Sequence, residues 1–173
     1  MQLTGSLCSL RPWHPRDADA LVKYANNVNI ARHLRDRFPH PYTLRDAKAF
    51  IHSCAAVRPH VSFAIVIDGE AAGGIGISSG SDIERFSAEI GYWLGEPFWG
   101  RGIVTEALVA VTRYALDSCR LTRIYALPFA TNTGSCRVLE KAGYTLEARL
   151  RRSAIKDGQV VDQLQYSFIA EAL

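Results

Sequence analysis

The stretch GYWLGEPFWGRGIVTEALV (Gly91–Val109) changes character twice. It starts as an apolar strand and passes through a turn holding Gly95, Pro97, Gly100 and Gly102. It continues as an amphipathic helix with Val104, Leu108, Val111 and Ala115 on one face. A helix start leaves its first backbone N–H groups unpaired, and the helix dipole adds positive potential there. Glycines at such a start permit positive φ and close approach of another group. Arg101, set between two of them, adds a fixed positive charge with forked donors. The turn therefore reads as a cradle for an anion such as phosphate. A nucleotide P-loop is excluded, because Arg101 and Gly102 stand where Lys and Ser or Thr belong. A Rossmann turn is excluded too: Thr105 takes the place of the third glycine, and the turn lies halfway along the chain. For the G-x-G alone, a strand-to-helix connection without a ligand is the competing reading.

Outward from this stretch the pattern is one α/β domain, residues 1–173, with a largely antiparallel sheet. Ser6–Trp13 reads as a strand, and Pro15 and Asp17 open a helix with Ala18, Leu21, Val22 and Ala25 on one stripe. A short helical piece follows around Ile30–Leu34, then the Pro-broken loop Arg37–Thr43. Thr43 is the expected N-cap of a helix running to Val57, with Ala47, Phe50, Ile51 and Cys54 inward. Val61–Ile67, Gly73–Ser78 and Phe86–Leu94 read as strands, the first two joined at Asp68-Gly69. Leu121–Phe129 is another strand, and Asn132–Ala142 a helix ended by Gly143. Tyr144–Arg152 alternates, with Tyr144, Leu146, Ala148 and Leu150 on one side. A turn at Asp157-Gly158 leads to a last strand with Val160, Leu164, Tyr166 and Phe168 on one face.

Composition narrows the function. The chain has 173 residues, 48% of them apolar and 21% charged, with a formal net charge of +3. That is an ordinary globular balance, and it lacks the basic stripe with interleaved aromatics of a nucleic-acid binder. No apolar run reaches the ~18 residues of a membrane span, and the N-terminal residues lack the pattern of a secretory signal. Cys8, Cys54, Cys119 and Cys136 are scattered without close pairs, as expected for reduced, mostly buried thiols of a cytoplasmic protein. His14, His33, His40, His52 and His60 show no paired metal-ligand spacing, so no metal is expected.

The segment Pro97-Phe98-Trp99-Gly100-Arg101-Gly102 resembles the acyl-CoA-binding motif [Q/R]-x-x-G-x-[G/A] of the GNAT acetyltransferase superfamily, with Pro97 departing at the first position. The longer string is similar to the branch of ribosomal-protein N-terminal acetyltransferases of the RimJ/RimL type. NTGSCRVLEKAGY (Asn132–Tyr144) is similar to the same branch's N-x-x-S-x-x-V-L-E-K-x-G-[FY], and PHPYTLRDAKAFI (Pro39–Ile51) resembles its substrate-side loop and helix. The order and spacing of these blocks carry the likeness over nearly the whole chain.

The resemblance implies a mixed, mostly antiparallel sheet of six to seven strands with splayed central strands and flanking helices. It implies direct transfer of acetyl from acetyl-CoA to a primary amine in a ternary complex, without a metal. A catalytically silent acyl-CoA-binding module is the alternative. The acceptor is either a protein N-terminus or a small-molecule amine, and a homodimer is a family expectation. Trp93 and Leu94 would pair with the pantetheine arm as Ile90–Leu94 parts from Leu121–Leu127. The turn around Trp99, Gly100, Arg101, Gly102, Ile103, Val104 and Thr105 would take the pyrophosphate. A backbone N–H near Leu94 would face the oxyanion. Asn132 would hold pantetheine or a water, cap the next helix, or both. The family's usual acid, a tyrosine, falls at Leu139 here, so Ser135, one turn earlier, is the implied partner of the leaving thiolate. Glu89 is either a base acting through water or an edge carboxylate, on one strand face with Gly91 and Trp93. Phe38 and Tyr42 are the expected lining of the acceptor pocket, and His40 is a turn residue near it.

Overall fold

The computed structural model describes residues 3–55 and 61–170. Its elements, in order, are β1 (Leu3–Thr4), β2 (Ser9–Arg11), α1 (Ala18–Ala25), α2 (Val28–Ala31), α3 (Leu44–Ala55), β3 (Ser62–Ile67), β4 (Glu70–Ser79), β5 (Ser87–Leu94), α4 (Ile103–Cys119), β6 (Arg123–Ala126), α5 (Thr133–Lys141), β7 (Thr145–Lys156) and β8 (Gln159–Ile169). One eight-stranded sheet runs in the order β1-β2-β3-β4-β5-β6-β8-β7. Every neighbouring pair is antiparallel except β5 and β6. The strand beyond the expected six to seven is β1, a two-residue edge piece.

Alternation along β3 sends its side chains to two cores. Phe63 and Ile65 join a core with Ile75, Ile77, Leu108, Val111 and Leu139, under α4 and α5. Ala64 and Val66 join a second core with Trp13, Leu21, Tyr42 and Ile51, under α1 and α3. Helix α3 begins as its sequence implies: Thr43 Oγ1 accepts from the Asp46 N–H at 3.3 Å, and Asp46 Oδ2 accepts from the Thr43 N–H at 2.9 Å. Its expected end at Val57 lies outside the described residues, whereas the short helix lies earlier than expected, at Val28–Ala31.

The C-terminal hairpin departs from simple alternation. Leu146 and Val160, grouped by alternation with Tyr144 and Tyr166 respectively, are exposed, whereas those tyrosines are buried. The pairing of β7 with β8 shifts register between Leu146 and Ala148 and again between Leu150 and Ala154. Each irregularity re-aims the residues around it, so one period-two pattern cannot describe the strand.

The first turn of α4 is tied to the N-terminal edge. The Glu106 carboxylate accepts from Ser6 N–H at 2.9 Å, Ser6 O–H at 2.6 Å, Leu7 N–H at 2.8 Å and Cys8 N–H at 3.2 Å. Partial burial favours the neutral acid, but these donors outweigh it and hold the carboxyl below its ordinary value. Stability from this contact is present above the unfolded carboxyl pKa and is lost as pH falls through the lower folded value. Glu106→Ala is expected to cost about 1–3 kcal/mol in urea unfolding at pH 7. The difference from wild type should shrink as the pH is lowered through that window.

Candidate active site

Strands β5 and β6 pair at only three positions, Ser87 with Arg123, Ala88 with Ile124 and Glu89 with Tyr125. Beyond Glu89, β5 stays on β4 as far as Leu94, opposite Gly73. The chain leaving β6 follows β8 instead: Leu164 N–H donates to Pro128 C=O at 2.9 Å, and Gln163 Nε2 donates to Leu127 C=O at 3.2 Å. The two strands therefore part. A cleft of about 920 Å³ opens there, with Gly91, Tyr92 and Trp93 on one wall, Leu127 and Phe129 on the other, and Asn132 and Ser135 alongside.

The turn after β5 has an open helix entrance. Gly100 and Gly102 hold φ of 75° and 80°. No side chain caps α4 at Gly102, and Glu106 N–H bonds to Gly102 C=O. The N–H groups of Ile103, Val104 and Thr105 precede that bond and lie outside the helix ladder. A Cβ at Gly100 would meet only open space. This entrance suits a pyrophosphate. It does not line the cleft itself, whereas Trp93 does. Trp99 spends its indole N–H on Leu94 C=O at 2.7 Å, fixing the end of β5. Leu94 is buried. Arg101 is exposed, with its guanidinium over the Phe98 ring at 5.6 Å.

On α5, Asn132 is the N-cap, and its Oδ1 accepts from Ser135 N–H at 3.1 Å. Ser135 Oγ lies 2.8 Å from Tyr92 Oη, and the same phenol is 3.3 Å from the Ser135 carbonyl. Burial pushes the Tyr92 hydroxyl well above its ordinary pKa, so it stays protonated at neutral pH. Leu139 is fully buried in the core. Tyr92 was not singled out by sequence reasoning. It sits between Gly91 and Trp93 in an apolar run, and only the fold brings it against α5.

At the other end of the cleft, Phe38 stacks at 5.0 Å on Tyr42 and 5.8 Å from Trp93. Tyr42 is a core residue with an edge on the cleft, its hydroxyl pushed up to about 12 by burial. Glu89 accepts from Arg35 Nη2 at 2.6 Å, so the strand carboxylate is ion-paired. His33 also lines the cleft, and its Nδ1 is buried without a hydrogen-bond partner. Burial, aided by Arg32, holds the imidazole below its ordinary pKa and hence neutral at pH 7. His33 carried no sequence signal, whereas His40 is exposed and outside the lining. His60 lies outside the described residues. Among the described residues, no three His, Cys, Asp or Glu side chains gather as a metal site requires, and no helix is long and apolar enough to cross a membrane. The four cysteines are free, Cys8 and Cys136 buried and Cys54 and Cys119 half-buried.

Parallel strands that part beside a glycine-opened helix entrance form a slot with an anion-suited mouth. The acetyltransferase (GNAT) domain model matches residues 8–145, and the chain belongs to that family. It is an N-acetyltransferase that takes its acetyl group from acetyl-CoA and passes it to an amine. The N-acetyltransferase p20 of Bacillus licheniformis is 28% identical over 93% of this chain and 92% of its own length. The putative ribosomal N-acetyltransferase YdaF of Bacillus subtilis is 30% identical over 61% of this chain and 57% of its own. Mycobacterium smegmatis RimJ, solved with CoA-disulfide, superposes with a TM-score of 0.84 at 27% identity, covering 94% of this chain and 82% of RimJ.

Because Gly102 sits at positive φ, Gly102→Ala should cost roughly 1–2 kcal/mol of stability in urea unfolding. The same change should weaken acetyl-CoA binding by calorimetry, because it misaligns the N–H groups that follow.

Proposed function

We propose that the chain binds acetyl-CoA with its thioester between the parted halves of β5 and β6, and there acetylates a primary amine by direct attack in a ternary complex. The observation that carries this reading is the loss of β5–β6 pairing after Glu89, beside Ser135 and next to an uncapped helix entrance. Acetyl-CoA supplies an activated acyl group; the protein supplies grip, alignment and hydrogen bonds. The N–H groups at the start of α4 hold the pyrophosphate, with Gly100 leaving the approach clear. The unpaired edge from Gly91 to Leu94 supplies backbone partners for the pantetheine arm, and an N–H near Leu94 faces the developing oxyanion. Asn132 fixes the first turn of α5, and Ser135 offers its hydroxyl to the departing sulfur.

Phe38 and Tyr42 shape the acceptor end. The acceptor is a protein N-terminus or a small amine; the relative YdaF is named as a putative ribosomal N-acetyltransferase. Glu89, held by Arg35, acts as a base through water or orients the acceptor loop through the ion pair. An α-amine, with pKa about 8, is already partly neutral at pH 7 and needs little help, whereas a lysine amine near about 10.4 needs more. Among the described residues the two carboxylates on the cleft lining are both engaged, Glu89 by Arg35 and Asp46 by Thr43, which favours the low-pKa acceptor.

The test is thiol release from acetyl-CoA across a panel of amines and short peptides. Acceptor-dependent release is expected; tight cofactor binding with no release from any acceptor would leave only a silent binding module. Ser135→Ala should lower kcat about 10- to 100-fold, the range of a hydrogen bond to a charged group, with acetyl-CoA affinity nearly unchanged. Wild-type turnover in that variant would remove Ser135 from the chemistry. For Glu89→Gln, a changed pH–rate profile is expected if the carboxylate is the base, and an unchanged one assigns it to the ion pair alone.

A further inference from the structure

We propose that Tyr92 is a positioning residue: its phenol donates to Ser135 Oγ, which frees the serine's own proton to point at the leaving sulfur. This rests on the acetyltransferase reading above and names a residue it did not include. A serine hydroxyl has one proton and two acceptor lone pairs. Left to itself, such a rotor turns to whichever acceptor is nearest. A donor at 2.8 Å changes the choice, because it occupies a lone pair and fixes the rotor.

Two proton arrangements fit the contact. In one, Ser135 donates to Tyr92 and Tyr92 donates to the Ser135 carbonyl at 3.3 Å, a closed circuit with nothing left for a ligand. In the other, Tyr92 donates to Ser135 Oγ. The second gives the phenol's proton the shorter of its two contacts. It also leaves the Ser135 carbonyl to Leu139 N–H, its partner in the α5 ladder. The phenol is half-buried, and its desolvation keeps the proton on throughout the neutral range. Tyr92 is thus a permanent donor and takes no part as an acid.

The reaction balances without it. The C–N bond forms and the C–S bond breaks, and the C–S electron pair stays on sulfur. Sulfur departs as a thiolate that accepts a hydrogen bond from Ser135, and the extra proton on the new amide nitrogen passes to water. An alkyl thiol with pKa near about 8.5 is a tolerable leaving group near neutrality, so an oriented hydroxyl suffices where a full proton donor is missing. This explains how the core leucine at position 139 is compatible with turnover: the phenol reaches the site from the facing strand and works through the serine.

The experiment combines kinetics with crystals. Tyr92→Phe keeps the ring and should melt within a few degrees of wild type. It should lower kcat about tenfold with the acetyl-CoA dissociation constant within twofold. In a Ser135→Ala background the same change should have no further effect. An equal tenfold loss in that background would show that the phenol acts independently of Ser135 and would overturn the proposal, as would unchanged kcat in the single variant. Crystals soaked with coenzyme A give a readout that needs no turnover. The wild type should keep Tyr92 Oη within hydrogen-bond reach of Ser135 Oγ, with sulfur facing Ser135. In Tyr92→Phe the Ser135 Oγ should leave the rotamer it holds in the wild type. Separation of Tyr92 from Ser135 in the wild-type complex sinks the proposal even where no acceptor has been found. Absence of thiol release from the wild type with any amine instead counts against the acetyltransferase reading.

Discussion

A strand inside a sheet ordinarily satisfies both of its edges, and β5 satisfies only one over its second half. It remains on β4 through Leu94, while its other edge loses β6 after Glu89. Unpaired backbone groups away from water are costly, so such an edge needs a partner. Here the chain beyond β6 has been drawn away by β8, through the bonds at Leu127 and Pro128 and the bridge between Phe129 and Gln163. What remains is a slot with hydrogen-bonding walls, which suits the amide-bearing arm of coenzyme A. The positions of Asn132, Ser135 and Tyr92 all follow from where that slot opens.

The walls stay apart because each is braced from behind. Helix α5 is held by Leu139 in the core and by Tyr166 O–H donating to Glu140 at 2.9 Å. Past α5, the Tyr144 hydroxyl shares a buried hydrogen bond of 2.7 Å with Thr112 of α4. Trp99 fixes the far end of β5 through its bond to Leu94, and Glu106 anchors the start of α4 to the N-terminal edge. A collapse of the slot would break several of these contacts together. The cleft's walls are therefore held by the packing behind them.

Much of this was legible in the sequence because it depends on local rules. The strand–turn–helix at Gly91–Val109, the cap at Thr43 and the helix stop at Gly143 each follow from residue type and spacing, and each is present. The parting of β5 and β6 was reached through resemblance and not through any pattern in either strand. Tyr92 was missed because alternation assigns it to the face opposite Trp93, and only a strand with a free edge lets neighbours on both faces line one cleft. The hairpin faces were misread at Leu146 and Val160, because register shifts arise from pairing between strands and leave no mark on either one alone. The Arg35–Glu89 pair joins a loop to a strand far along the chain, beyond the reach of any local rule.

The ion pair bears on what kind of amine the site serves. An acceptor that arrives largely protonated must shed a proton before it can attack, and the strand carboxylate best placed to help is already engaged by Arg35. Lys156 is likewise engaged with Asp36, so the hairpin and the loop that carries Arg35 are joined by charge. His33, also on the lining, is held neutral by burial. A neutral imidazole accepts a proton from an amine of comparable pKa far more readily than from one several units higher. On the proposed mechanism the catalytic effort therefore falls on aligning the thioester and receiving the sulfur, and the acceptor's own acidity decides whether it can react.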